Sequence, residues 1–491
     1  MRAKRPIASL LAGVCLLATP AQADTLKEAL TQAYYDNPTL AAARAQLRAT
    51  DENVAIQRAD RLPNVSASGR YTEFLFDSGG EPGPSRLFGA SLDGSLPVYS
   101  GGGIRNSIRA AETRVLAGRA DLRATESFVF TQVVAAYMDV ILQEALVALS
   151  TNNVDVLSVN LEATSDRFQI GDLTRTDVAQ SEARLALARG DLRSAQANLI
   201  SARETYIELV GDAPDDLQPP PPLPNLPTSP DEAVAIALEN NPDLIAARET
   251  AEAAGYDIRV ASSSRSPQVS VFAGGTYDDF LGSLPNSQAA VIANSSSAAT
   301  AGVRVQVPLF QGGRPAAQTR QAQARASAAL EQVIAAERGV IADVRAAYSS
   351  WRAANAIIAS SETAVDAAEL SLEGVRAENT VGNRTIIDIL DAQQELLRTQ
   401  VQLVTARRNA YVAGFALLAA MGRAEARDLG IGEDGTLYDP VVNYDRSRSI
   451  IWDWQSDPDP VAESSRTVDI PAQDGDIADT DIDIDTGITG D

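Results

Sequence analysis

Four short alternating segments decide what this chain can become. They come as two pairs, Pro63 to Gly102 and Pro267 to Gly313, each set between long stretches of helical pattern. In the first pair Val65, Ala67, Gly69 and Tyr71 take one face, with Ser66, Ser68, Arg70 and Thr72 opposite. The returning segment puts Phe88, Ala90, Leu92, Gly94, Leu96 and Val98 on one face and Gly89, Ser91, Asp93 and Ser95 on the other. In the second pair Val269, Val271, Ala273 and Tyr277 alternate with Ser270, Phe272 and Thr276; Ala301, Val303, Val305, Val307 and Leu309 alternate with Arg304 and Gln306. Strands of ~10 residues with one apolar and one polar face suit a tilted bilayer crossing in a barrel. They also suit an ordinary half-buried sheet. Counting constrains more than alternation does. Four strands cannot close a lipid-embedded barrel, because about eight is the working minimum and an open edge in hydrocarbon leaves backbone groups unpaired. If these strands lie in a membrane, several copies share one barrel, and the strand count predicts a homo-oligomer.

The helical stretches around the strands are duplicated. Glu28, Asn37-Pro38 and Pro63 recur as Glu232, Asn241-Pro242 and Pro267, all at an offset of 204. After the strands the offset becomes 211: Pro97, Gly101-Gly102, Gly171, Asp177 and Gly211 recur as Pro308, Gly312-Gly313, Gly382, Asp388 and Gly422. The extra seven residues belong in the tip loops, Leu75 to Leu87 and Leu281 to Ser297, where insertions are tolerated. Each repeat reads as helix, strand pair, long helix, break and helix. In the first, Asp24 to Arg61 reads as a single helix with Thr25 and Glu28 at capping-box spacing. A second helix runs from Ile104 to about Gly171, with Ile104, Ile108, Ala111 and Val115 stepping as a coiled-coil seam. A third runs from Thr174 to about Val210. The last helix of the second repeat, Thr385 to Met421, keeps apolar heptad positions with Arg408 the one interruption. The domains are therefore residues 24–213 and 231–422, joined by a proline-rich linker over 214–230. The fold class is mainly α with a small β part.

Both ends of the chain are distinct from the repeats. Arg2, Lys4 and Arg5 precede an apolar run from Ile7 to Ala18, and Ala21-Gln22-Ala23 fits a cleavage site, so residues 1–23 read as a secretory signal. The sole cysteine, Cys15, lies inside that run, and Val14 stands where a lipoprotein signal has a small residue. The mature chain then offers no disulfide and no thiol. No later stretch approaches ~18 uninterrupted apolar residues, so no transmembrane helix is expected. A formal charge of −24 argues against nucleic acid, whose phosphates are held by clustered Lys and Arg. About half of that charge falls after Gly422, where 18 acidic residues meet 5 basic ones. Residues 423–491 read as an acidic tail, largely disordered, within which Trp452 and Trp454 could dock locally. Calcium capture by Asp481, Asp483 and Asp485 is a second reading of its end, opposed by Thr486 where an EF-hand loop needs glycine.

Taken together these features resemble the TolC family of outer-membrane efflux and secretion channels. The likeness rests on Thr25-Leu26-Lys27-Glu28-Ala29-Leu30 with Asn37-Pro38-Thr39-Leu40, and on its half-repeat Asp231-Glu232-Ala233-Val234 with Asn241-Pro242-Asp243-Leu244. Pro97-Val98-Tyr99-Ser100-Gly101-Gly102 and Pro308-Leu309-Phe310-Gln311-Gly312-Gly313 add the strand-to-helix junctions. The most specific stretch is Val381-Gly382-Asn383-Arg384-Thr385-Ile386-Ile387-Asp388-Ile389-Leu390-Asp391-Ala392. The resemblance implies a homotrimer whose twelve strands form one outer-membrane barrel, set in outer-membrane lipid and continued into the periplasm by a helical tunnel. It implies a periplasmic adaptor (membrane fusion) protein and an inner-membrane ABC or RND-type transporter as partners. The cargo would be small molecules, secreted proteins or both. Neither catalysis nor a cofactor is implied.

The carboxylates after the glycine breaks are the candidate functional residues. Thr174 and Asp177, like Thr385 and Asp388, have the spacing of a helix cap, and for Asp177 that structural reading stands beside the functional one. Asp391 is different, because its counterpart is Gln180 and no cap requires it. Asp388 and Asp391, three apart, share a helix face, and three copies would set six carboxylates around one axis, attracting cations. The resemblance places Asp388 and Asp391 at the periplasmic aperture and Thr176, Asp177 and Arg384 in the network that holds it closed. It expects tyrosine where this chain has Asn379. Two rival classes remain. With no histidine, no mature cysteine and no phosphate loop, an enzyme has little to work with. A soluble periplasmic coiled-coil adaptor or adhesin would lack barrel strands and fractionate without detergent.

Overall fold

The computed structural model describes residues 24–75, 84–224, 226–432 and 437–476. Residues 1–23, read above as a secretory signal with Cys15, residues 76–83 of the first tip loop, and Asp481, Asp483 and Asp485 lie outside the described residues. Helix α1 (Leu26–Asp36) opens on the capping box its sequence predicts. Glu28 accepts the Thr25 N–H at 2.8 Å, and Thr25 Oγ1 accepts the Glu28 N–H at 3.3 Å. The single helix expected over Asp24 to Arg61 is in fact two. Pro38 has no N–H to continue the ladder, so α2 (Pro38–Ala59) starts afresh with Asn37 as its N-cap. Asn37 Nδ2 also donates to the Leu209 carbonyl at 2.8 Å. The second repeat copies the device: α5 (Pro230–Asn240) gives way to α6 (Pro242–Ser263), and Asn241 Nδ2 donates to the Ala420 carbonyl at 3.0 Å. Each Asn-Pro pair braces the first joint of its repeat against the end of that repeat's last helix.

Two helices of 67 residues dominate the molecule, α3 (Gly103–Gln169) and α8 (Arg314–Thr380). At 1.5 Å per residue each is ~100 Å long. They fold back at glycine breaks into α4 (Arg175–Val210) and α9 (Ile386–Ala420), forming two long hairpins. Gly171 and Gly382 take φ of 83° and 82°, a left-handed conformation that a side chain would strain. Helix α6 packs against both α3 and α8 and so joins the repeats. The composition of α3 would allow part of it to cross a membrane, yet half of that stretch is buried inside the chain. There Val129, Phe130, Val133, Val134, Tyr137 and Val140 form the centre of the main core. Arg408, the interruption in the α9 heptads, makes a two-pronged ion pair with Asp139 of α3 at 2.8 and 2.9 Å.

The proline-rich linker lies on this core, held by tyrosines. Tyr137 donates to the Gln218 carbonyl at 2.5 Å, Tyr411 to Pro221 O at 3.2 Å and Tyr348 to Thr228 O at 2.9 Å. Prolines offer no N–H, so much of the linker is held through its carbonyls by phenol donors, while Asp215 and Gln218 also donate their N–H groups to Asp24.

The strands β1 (Asn64–Glu73), β2 (Arg86–Tyr99), β3 (Gln268–Asp279) and β4 (Ser295–Gln306) form one antiparallel sheet in chain order. Glu73 pairs with Arg86, and their equivalents Tyr277 and Ser297 pair likewise. The two hairpins therefore share a register, and the seven-residue insertion is confined to the second tip, which gains extra rungs and the short helix α7 (Asn286–Ala289). Residues paired across a ladder share a face. One face carries the rows Tyr71–Phe88, Ala67–Leu92–Gly275–Ala299, Val65–Gly94–Ala273–Ala301 and Leu96–Val271–Val303. The other carries Ser66–Asp93–Gly274–Thr300 and Ser68–Ser91–Thr276–Ala298. Val65, Leu92, Val271 and Val303 of the apolar face are exposed, and the sheet is open at β1 and β4.

The segment after Gly422 corrects the expectation of a largely disordered tail. Its described residues carry α10 (Pro440–Ser449), which packs on α2. Asn443 Nδ2 donates at 2.7 Å to the buried Asp51, and the Tyr438 N–H donates to Tyr34 Oη at 3.0 Å. Further on, the Ser465 N–H donates to Asp36 at 2.7 Å and Arg203 donates to the Asp474 carbonyl at 3.0 Å. Periodicity failed as a guide because this segment docks through scattered residues, with Ala424, Ala426 and Ile431 buried in the main core and the polar bonds above holding the rest. Trp452 and Trp454 remain exposed.

Candidate functional site

The two glycine breaks lie at the ends of the hairpins farthest along the chain from the sheet, and both are followed by the same local chemistry. After Gly171, the Asp177 carboxylate accepts from the Thr174 N–H at 2.9 Å and from its hydroxyl at 2.7 Å. After Gly382, Asp388 accepts from the Thr385 N–H and hydroxyl, both at 2.8 Å. The bonds to the Thr174 hydroxyl and N–H hold the Asp177 carboxyl below its ordinary range. Those from the Thr385 N–H and hydroxyl do the same for Asp388, with Arg384 assisting. Both aspartates are thus charged and fixed at neutral pH, and the helix caps read from the sequence are present.

The second break carries more. Arg384 Nε donates to Glu378 Oε2 at 2.8 Å, and Arg384 Nη1 lies 3.7 Å from Asp388 Oδ1. The bond to Glu378 raises the Arg384 pKa further above its ordinary value. Asn379 Nδ2 donates to the Arg384 carbonyl at 2.8 Å, closing the turn from the α8 side. Asn379, where an aromatic residue was expected, acts on the backbone of Arg384. Thr176 is exposed on the first turn of α4. Among the described residues no ion pair joins Arg384 to Asp177 within one chain.

Asp391 meets a partner that the sequence did not announce. Arg184 of α4 reaches across to α9, its Nη2 2.7 Å from Asp391 Oδ1. One turn inward, Asn160 Nδ2 of α3 donates to Gln393 Oε1 at 2.9 Å. Between them Leu390 is buried in a small cluster with Leu157, Leu185 and Ala188. The first turns of α9 are therefore seated on the α3–α4 hairpin by one apolar contact and two polar ones. Glu378 and Arg184 were missed because their partners lie six and 207 positions away. The available signal was the heptad step from Asp177 to Arg184, which puts both on one face of α4.

The remaining observation is what this architecture matches. The outer membrane efflux protein family model matches residues 29–212 and 233–423, one segment for each structural repeat. The chain belongs to this family. Outer membrane efflux protein BepC of Brucella suis biovar 1 (strain 1330) is 35% identical over 426 residues, covering 86% of this chain and 91% of BepC. Outer membrane protein TolC of Vibrio cholerae serotype O1 is 27% identical, covering 84% of this chain and 94% of TolC. The outer membrane protein VceC from Vibrio cholerae has the same fold, with a TM-score of 0.69 at 24% identity over 81% of this chain and 96% of its own. As an outer membrane efflux protein, this chain is an outer-membrane channel protein of the Gram-negative type. Its relatives are named as channel and efflux proteins, not as enzymes.

Proposed function

We propose that three copies of this chain assemble into a channel-tunnel that exports small molecules, secreted proteins or both from the periplasmic side. Twelve strands, four from each copy, close one barrel in the outer membrane, and the six long hairpins continue it into the periplasm. The reading rests on the open sheet. Its exposed apolar face calls for lipid, and its free β1 and β4 edges call for neighbouring copies, since unpaired edges are not tolerated in hydrocarbon. The efflux named for BepC favours a tripartite system in which an adaptor and an inner-membrane ABC or RND-type transporter engage the periplasmic end.

The gate of this channel is the turn region of α9. Asp388 and Asp391 ring the aperture, six carboxylates in three copies, while Arg384 offsets part of their repulsion. Arg384 also stands ready to reach Thr176 or Asp177 of a neighbouring copy. Replacing Asp388 and Asp391 together by alanine tests this in planar bilayers. Cation selectivity and block by multivalent cations should fall, while trimers persist. Selectivity equal to that of the unmodified channel would mean that these carboxylates cap and brace helices without lining the pore.

A further inference from the structure

The duplication lets the seat of α9 be compared with its own counterpart. Within one chain, α9 is held on the α3–α4 hairpin by Arg184 with Asp391, Asn160 with Gln393, and Leu390 in its apolar cluster. In a ring of three chains, repeats alternate, so each such junction has a pseudo-equivalent where α4 of one copy meets the second hairpin of the next. At the offset of 211, Arg184 becomes Glu395 and Asp391 corresponds to Gln180. Asn160 becomes Ser371, Gln393 corresponds to Glu182, and Leu390 corresponds to the exposed Ala179. The polar partners are all changed at the seam between copies and Leu390 is replaced by alanine, while Leu161 and Leu185 of the cluster are kept as Leu372 and Leu396. The residues of the ion pair and the leucine beneath it belong to one side of the pseudo-symmetry only.

We propose that Arg184 is a gate-setting residue, clasping Asp391 so that the start of α9 is anchored inside each chain while the seams between chains lack the clasp. This deepens the gate reading above and rests on the trimeric channel it describes. Arg184 acts through Asp391 and is a positioning residue. Its guanidinium spans two hairpins that have no covalent link at this end, so losing it frees α9 to move without disturbing the Thr385 cap or the Arg384–Glu378 pair. An exposed ion pair is weak alone. Here it is repeated in every copy and sits over a buried leucine, and a gate needs only a small bias between two states.

Closed-state conductance in planar bilayers tests the clasp. Arg184→Asp and Asp391→Arg should each raise it by roughly twofold or more, and the two together should raise it by clearly less than their combined effects, since the swapped pair restores the clasp while the reversed charge of residue 391 stays at the aperture. Native mass measurement confirms that each variant is assembled, and Arg184→Gln serves if the charge reversal fails to assemble. Installing the missing clasp at the seams, with Gln180→Asp and Glu395→Arg together, should lower conductance below the unmodified channel. Single reversals without effect, or a double reversal that adds their effects, would overturn the proposal. An unmodified protein that forms no pore would instead sink the channel reading itself, so the two failures are distinguishable.

Discussion

At residue 126 a carboxylate is held where water is scarce. Glu126 of α3 accepts the Ala426 N–H at 2.5 Å just beyond the end of α9, and burial raises its pKa above the ordinary value of 4.5. Arg44 and Arg427 act against that rise and Glu425 adds to it. The unfolded chain releases this proton first, so stability is full below the ordinary pKa and declines as pH rises through the higher folded value. Glu126→Gln keeps an acceptor for Ala426 and removes the charge. Thermal melts in detergent should show the variant gaining on the unmodified protein between acid and neutral pH; a gain that shrinks over that range would refute the assignment. Residues of this kind were invisible in the sequence, because burial depends on the joining of α3 to the end of α9. Thr174, Asp177, Thr385 and Asp388 were legible, because a capping box is local chemistry four residues long. Arg184 was not legible as a gate residue, since its partner lies in the other repeat.

Among the elements, the sequence was most informative where a pattern repeats and least where one polar bond decides. Glycine breaks and heptads placed α3, α4 and α9 to within a few residues. The split of the first helix turned on Pro38, and the docking of α10 turned on Asn443 and Asp51. Asn443→Ala leaves the buried Asp51 carboxylate without that donor, which should cost about 1–3 kcal/mol, read as a lower thermal midpoint. An unchanged midpoint would mean that α10 contributes nothing to holding α2. The far end of the same segment should behave differently. Arg203 keeps Glu144 at 3.0 Å when Asp474 is lost. Deleting residues 474–491 should therefore leave assembly and conductance as they are. Loss of assembly in that deletion would assign the end of the chain a docking role.

At the scale of the whole molecule, the sheet of each chain is unfinished. The first hairpin carries much of the core, the linker is held by tyrosine hydroxyls, and the C-terminal segment packs on α2 and α4. The sheet keeps two free edges and an exposed apolar face, and α8 leaves Leu330, Ile357 and Leu370 exposed as well. Strand count made this visible before any coordinates, because closure in lipid is a matter of backbone bonds and not of side-chain detail. The seam between copies was not visible, since one chain's sequence names no neighbour. The most direct measurement is the mass of the detergent-solubilised, folded protein by light scattering or native mass spectrometry. The account predicts three chains per particle. A folded single chain with a closed barrel of its own would contradict it.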